Sequence, residues 1–183
     1  MEFFCYHRDR VGSLSLRKAL LEEHWSYMDR FAARMTARGP VFDAEDDDIL
    51  YGSVHILDLP DPAAVRAFAF EEPCYQAGAY RDVLLRRWHD LLGRTMWDFP
   101  GPRDTGDFFF VLGLGEGEPA DTELPAAKED LAAYGSLYSD DDTAWLGTAA
   151  LVRATDEAAA RSLLTPDRYA EIEVHAWTFG GRR

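Results

Sequence analysis

The chain carries one stretch of sequence twice, and that constrains its fold more than any other feature. Asp46 to Asp61 reads DDDILYGSVHILDLPD, and Asp140 to Asp156 reads DDDTAWLGTAALVRATD. One inserted residue aligns Gly52 with Gly147 and Asp61 with Asp156. The flanks agree as well. An aromatic strand opens each copy, Phe3 to His7 and then Phe108 to Leu112. An alanine-rich helical stretch follows each aligned segment, from Pro62 to Phe70 and from Glu157 to Leu164. A proline comes next (Pro73, Pro166), and each copy closes on a strand ending near a tryptophan, Trp88 or Trp177. Internal repetition of this kind is a statement about architecture, because each copy is one unit that needs the other to hide its apolar face.

The periodicity within a copy predicts strand, helix, strand, strand, helix, strand. Leu16, Leu20, His24, Met28, Phe31 and Met35 recur at helical spacing, which predicts a helix from Ser15 to about Met35 with Arg17, Glu22, Asp29 and Arg34 on its other faces. Ser13 or Ser15 can cap its start. Residues 50 to 57 alternate as a strand, with Val54 and Ile56 on one side and Tyr51, Ser53 and His55 on the other. Asp61 caps the second helix and Pro62 takes its first position. The fold class is therefore α+β: two ferredoxin-like βαββαβ repeats forming a pseudo-dimeric barrel, with residues 1–100 as the first repeat, 101–106 as a linker and 107–183 as a degenerate second repeat. If Val54 and Ile56 lie under the helices, Ser53 and His55 point into the barrel.

Charge and cysteine content narrow the partners. With 33 Asp and Glu against 19 Lys and Arg, the chain repels phosphate backbones and anionic lipids, so neither nucleic acid nor a membrane is expected as a partner. Only Cys5 and Cys74 are present, too few for a disulfide framework, and the start lacks the pattern of a secretory signal; a cytoplasmic protein is expected.

The first copy resembles the YciI-like (YCII-related) proteins of the dimeric α+β barrel superfamily. The resemblance rests on Glu23-His24-Trp25, on Ala37-Arg38-Gly39-Pro40, on Tyr51-Gly52-Ser53-Val54, and on the run from Glu72 through Pro73, Tyr75, Ala77 and Gly78 to Tyr80. It spans roughly the first 95 residues. It implies a histidine and an acidic residue beside a cleft, which fall on His24 and on Glu72, where the family has Asp. It also implies, for a few members, elimination or dehalogenation of aromatic ring compounds.

The residues then suggest roles. His24 is a candidate general acid/base and Glu72 the carboxylate that orients it, against the plainer alternatives of a half-buried histidine and a solvated helix-end charge. Ser53 and His55 are candidates to bind a polar ligand, and Tyr75 and Tyr80 to wall a pocket for a planar apolar body. Cys5 and His7 point the same way on a strand and with His24 or His55 would make a nitrogen/sulfur ligand set, but the spacing is too loose for a metal signature and no metal is assigned. Gly113 to Glu118 lacks the third glycine of a dinucleotide fingerprint and reads as a flexible strand-to-helix loop. No cofactor is expected. The acidic runs 45–48 and 140–142 read as solvated turns, since a calcium loop needs alternating acids. Three functions remain open: a lyase or isomerase acting on a small cyclic or enolisable molecule, a non-catalytic ligand-binding protein, and a structural module. A homodimer through strand edges fits the fold class.

Overall fold

The computed structural model describes residues 1–46 and 48–181. Asp47, within the first acidic run, lies outside the described residues. Eight strands close into one antiparallel barrel: β1 (Glu2–Asp9), β2 (Met35–Phe42), β3 (Leu50–Asp58), β4 (Tyr80–Asp90), β5 (Asp107–Gly117), β6 (Leu131–Tyr138), β7 (Trp145–Ala154) and β8 (Glu171–Trp177). Their order around the barrel is β1-β3-β2-β8-β5-β7-β6-β4. Read by halves, this is β4-β1-β3-β2 followed by β8-β5-β7-β6, the same order twice. The halves meet at two seams, β2 with β8 and β4 with β6. Every strand has a neighbour on both sides, although β2 meets β8 through two residue pairs and β4 meets β6 through four.

Helices cover the outside of the first half: α1 (Leu14–Ala19), α2 (Leu21–Asp29), α3 (Pro62–Phe70) and α4 (Pro73–Gln76). The long helix expected from Ser15 to Met35 is in fact two short ones that break at Leu20, and Met35 begins β2. Ser13 sits at the start of α1, but its hydroxyl donates to Asp9 and caps nothing. Asp61 caps α3 as expected, accepting from the Ala64 N–H at 2.8 Å with Pro62 following.

The second half departs from the expected element order. Residues 118–130 form a loop ending in one 3₁₀ turn where a first helix was expected, and only the short α5 (Glu157–Arg161) covers that side. Gly113 to Gly117, expected in a loop, belongs to β5.

The barrel interior is packed solid with side chains from both halves. Phe4, Tyr6, Val54, Ile56 and Trp88 meet Phe110, Leu112, Ala149, Leu151 and Trp177, and Met96 and Phe99 of the connection between β4 and β5 pack into the same cluster. Val54 and Ile56 thus face inward and Ser53 and His55 face the helices, the reverse of the sequence expectation. Alternation fixes which residues share a face, and only the closure of the barrel decides which face is inside. Among the described residues no helix is long and apolar enough to cross a membrane.

Candidate active site

The outer face of the first half sheet, under α1 to α4, is where polar side chains gather. Strands β1 and β3 pair so that Cys5 lies opposite His55 and His7 opposite Ser53. All four side chains point toward the helices and all are buried.

Glu72 lies between α3 and α4 and uses both carboxylate oxygens. Oε2 accepts the Tyr75 N–H at 2.8 Å, capping α4, and Oε1 meets His24 Nδ1 at 2.7 Å. Pro73, at the first position of α4, fixes the helix start that this cap requires. Glu72 is completely buried, which rules out the solvated helix-end alternative. Burial by itself would raise its carboxyl, but the bond to and charge of His24, with the Tyr75 N–H, outweigh it and hold the group below the ordinary carboxylate value. A carboxylate on Nδ1 fixes the tautomer of His24 and turns Nε2, which has no partner among the described residues, toward a cavity of about 270 Å³.

The opposite side of the cavity floor is built by a residue that helical periodicity misplaces. Arg17 was expected on an outer face of the helix; it is buried, with Nη1 at 2.7 Å from Asp9 Oδ1 and Nη2 donating to Ser53 Oγ at 2.7 Å. Its guanidinium lies 4.9 Å from the Tyr80 ring centroid. Asp9 closes β1 four residues before Ser13, where the chain turns back over the sheet into α1; the only sequence signal was an acid at a strand end and an arginine one turn into a helix. Ser53 spends its acceptor on Arg17 and makes no other hydrogen bond among the described residues, so its O–H is left to the cavity.

His55 also lines the cavity. Burial drives its imidazole far below its ordinary value, so it is neutral. His7 lies behind it, with Nε2 2.9 Å from the Ala69 carbonyl, and burial lowers it to about 4. Tyr75 and Tyr80, expected as pocket walls, do not line the cavity: Tyr75 packs on Phe70 at 5.0 Å, and Tyr80 lies beneath Arg17 and beside His7. The walls come instead from Leu21, Trp25, Met28 and Arg38, and from Thr178 to Gly181 beyond β8. The C-terminal residues are tied down where the Gly180 N–H donates to the Arg38 carbonyl at 3.0 Å. Sequence reasoning had no signal for them, because they come from the far end of the chain.

Two groups have the chemistry of metal ligands. Cys5, His7 and His55 bring ligand atoms within 4.8 Å of one another, as do His24, Glu72 and Cys74. In the first, burial and then Glu72 push the Cys5 thiol well up, and its sulfur lies 3.5 Å from His7 Nδ1. In the second, burial and then Glu72 push the Cys74 thiol up to about 12, while His24 and Glu72 hold each other.

Residues 1–89 match the YCII-related domain. No curated protein matches the chain. Among solved structures, 5-chloro-2-hydroxyhydroquinone dehydrochlorinase (TftG) from Burkholderia phenoliruptrix AC1100, in complex with 2,5-dihydroxybenzoquinone, is similar over 49% of this chain and 95% of its own, at 29% identity and a TM-score of 0.47. A provisionally assigned monooxygenase from Lactobacillus acidophilus NCFM is similar over 98% of this chain and 97% of its own, at 6% identity and a TM-score of 0.55, a likeness of fold alone. Residues 1–89, the part of this chain that carries α1 to α4 and the His24–Glu72 pair, are the part that matches a YCII-related domain.

Proposed function

We propose that the chain is an enzyme of lyase or isomerase type, doing cofactor-independent acid/base chemistry on a small cyclic or enolisable organic molecule. The observation that carries this reading is the buried 2.7 Å contact between Glu72 and His24 Nδ1, with Nε2 toward the cavity. Glu72, ionised, accepts from Nδ1–H. The Nε2 lone pair then takes a proton from a substrate carbon, and Glu72 stabilises the imidazolium that forms. In an elimination, the electron pair of the broken C–H bond becomes the new double bond and the leaving group departs with its own pair. In an isomerisation, the pair rests as an enolate and His24 returns the proton to a different carbon. The Ser53 O–H, aligned by Arg17, donates to the oxygen on which the charge develops. His55, neutral, supports the same oxygen. On this reading the two halves of the chain are related units: the first (1–100) supplies the reacting groups, and the second (107–183), after the 101–106 linker, completes the barrel.

The non-catalytic binding alternative would have His24 and Glu72 too far apart to bond, and they are not. The structural alternative draws support from the filled barrel interior, but the cavity lies outside the barrel, beneath the helices.

The test is turnover of a panel of cyclic enolisable ketones and halogenated hydroxyarenes, followed by proton exchange in D₂O and by halide release. The wild type should exceed buffer, and His24→Ala, with an unchanged melting temperature, should lose about 100-fold or more. Equal rates in the variant and wild type would overturn the proposed role.

A further inference from the structure

The chain has 33 acidic residues, yet among the described residues no carboxylate lines the cavity above His24. Its charged and titratable lining is Arg17, Arg38, His24 and His55. The carboxylates that balance these groups stand behind them. Asp9 holds Arg17 from the strand side, Glu72 holds His24 from under α4, and Asp29 lies 3.8 Å from Arg38 at the outer rim. A wide groove at the barrel mouth behaves differently: Asp9, Asp48, Glu171 and Glu173 line it together with Arg8, Arg10 and Arg81. The one-sided lining above His24 is therefore a property of that cavity and not of the surface in general. Arg17 and Arg38 are both largely withdrawn from water, where a charge-assisted bond to an anion is stronger than at a surface. The remaining walls are apolar, from Leu21, Trp25, Met28 and Phe179.

We propose that the site takes an organic anion: a single ring or enolic system carrying a negatively charged oxygen, seated between Arg17–Ser53 and Arg38 with its apolar body against Trp25 and Phe179. The volume of about 270 Å³ admits one substituted ring, lying just under the roughly 300 Å³ at which ligand sites usually begin. Arg38 is then a specificity-determining residue, because it offers charge to the ligand without touching the His24–Glu72 pair. The proposal deepens the acid/base reading, since it names the substrate class for that site, but its test does not depend on turnover.

The experiment is calorimetric titration of the full chain with benzoate, with benzamide of the same shape and no charge, and with inorganic phosphate. Benzoate should bind about tenfold or more tightly than benzamide, and phosphate should not displace it. Arg38→Gln should bring benzoate down to the benzamide level and leave benzamide unchanged. Should that variant fail to fold, the benzoate-to-benzamide ratio of the wild type and of Ser53→Ala still decides. Equal affinities, no benzoate binding at tens of millimolar, or displacement by phosphate would each overturn the proposal. His24→Ala should keep the benzoate preference; if it does while turnover in that variant also persists, the acid/base reading fails and the anion site stands.

Discussion

The outer faces of the two half sheets have the same backbone and opposite fillings. On the first, Arg38 of β2 offers its carbonyl to the Gly180 N–H from beyond β8; on the second, Tyr134 of β6 offers its carbonyl to the Leu91 N–H from beyond β4, each at 3.0 Å. Gly39 lies so close to Trp177 and the Thr178 carbonyl that a Cβ would collide, and Gly135 is in the same position against Trp88 and the His89 carbonyl. The segment that crosses each face thus comes from the other half. Where it reads Gly180-Gly181 a cavity remains, and where it reads Leu91-Leu92 the leucines pack into the apolar cluster of Phe109, Val111 and Ala150. Thr148, aligned with Ser53, is occupied as well: Tyr169 Oη lies 2.9 Å from its hydroxyl and 2.8 Å from Asp121. One scaffold can carry a site or a plug, and the choice rests on a few side chains at matching positions.

The largest expected effect separates the faces by activity. His24→Ala should cost turnover about 100-fold or more, whereas Tyr169→Phe, which cuts the Asp121 and Thr148 contacts of the plug, should leave turnover unchanged. A loss in Tyr169→Phe equal to that in His24→Ala would break the distinction.

Acid should act mainly on the first face. His7 is neutral down to about 4 in the fold and protonates near 6.5 when the chain unfolds. Between those values the unfolded chain binds more protons, so stability falls as pH drops from 6.5 to 4, by about 3 kcal/mol for this residue. His55 is shifted in the same direction and adds to the slope. Glu72, held below its ordinary value, gives up its contribution only at lower pH, as it is protonated through that depressed value. Urea melts of the wild type and His7→Leu at pH 7 and 4.5 should show a shallower loss in the variant; equal losses would put the acid sensitivity elsewhere.

Exchanging the crossing residues should exchange the consequences. Leu91→Ala should destabilise by roughly 2 kcal/mol through a cavity in the plug, with ligand affinity untouched. Gly181→Ala places a Cβ against the Arg38 guanidinium at a φ of 92°, and should weaken benzoate binding while costing less in stability than a core truncation. Denaturant titration and calorimetry on both variants read the two effects separately. The smallest effect on turnover is expected from the matched hydroxyls: Ser53→Ala, which removes the donor to the developing charge, should lower kcat about tenfold, and Thr148→Val should not change it.

The sequence by itself pointed to the same strand order in both halves, since the glycines, the capping aspartates and the closing tryptophans occur at matching places and strand alternation is a local property. It also marked His24 and Glu72, through the resemblance of the first copy to the YCII-related proteins. It could not tell which side of β3 lies inside the barrel, because a period of two is blind to inversion until a second sheet closes over one face. It misplaced Arg17, because a buried arginine looks like a solvated one until Asp9 of β1 and Ser53 of β3 are brought to it. It did not reveal Phe179 or Gly180, because their place beside His24 exists only once β8 pairs with β2. Spacing along the chain marked most of the strands and the His24–Glu72 pair; burial and pairing across the barrel decided what surrounds that pair.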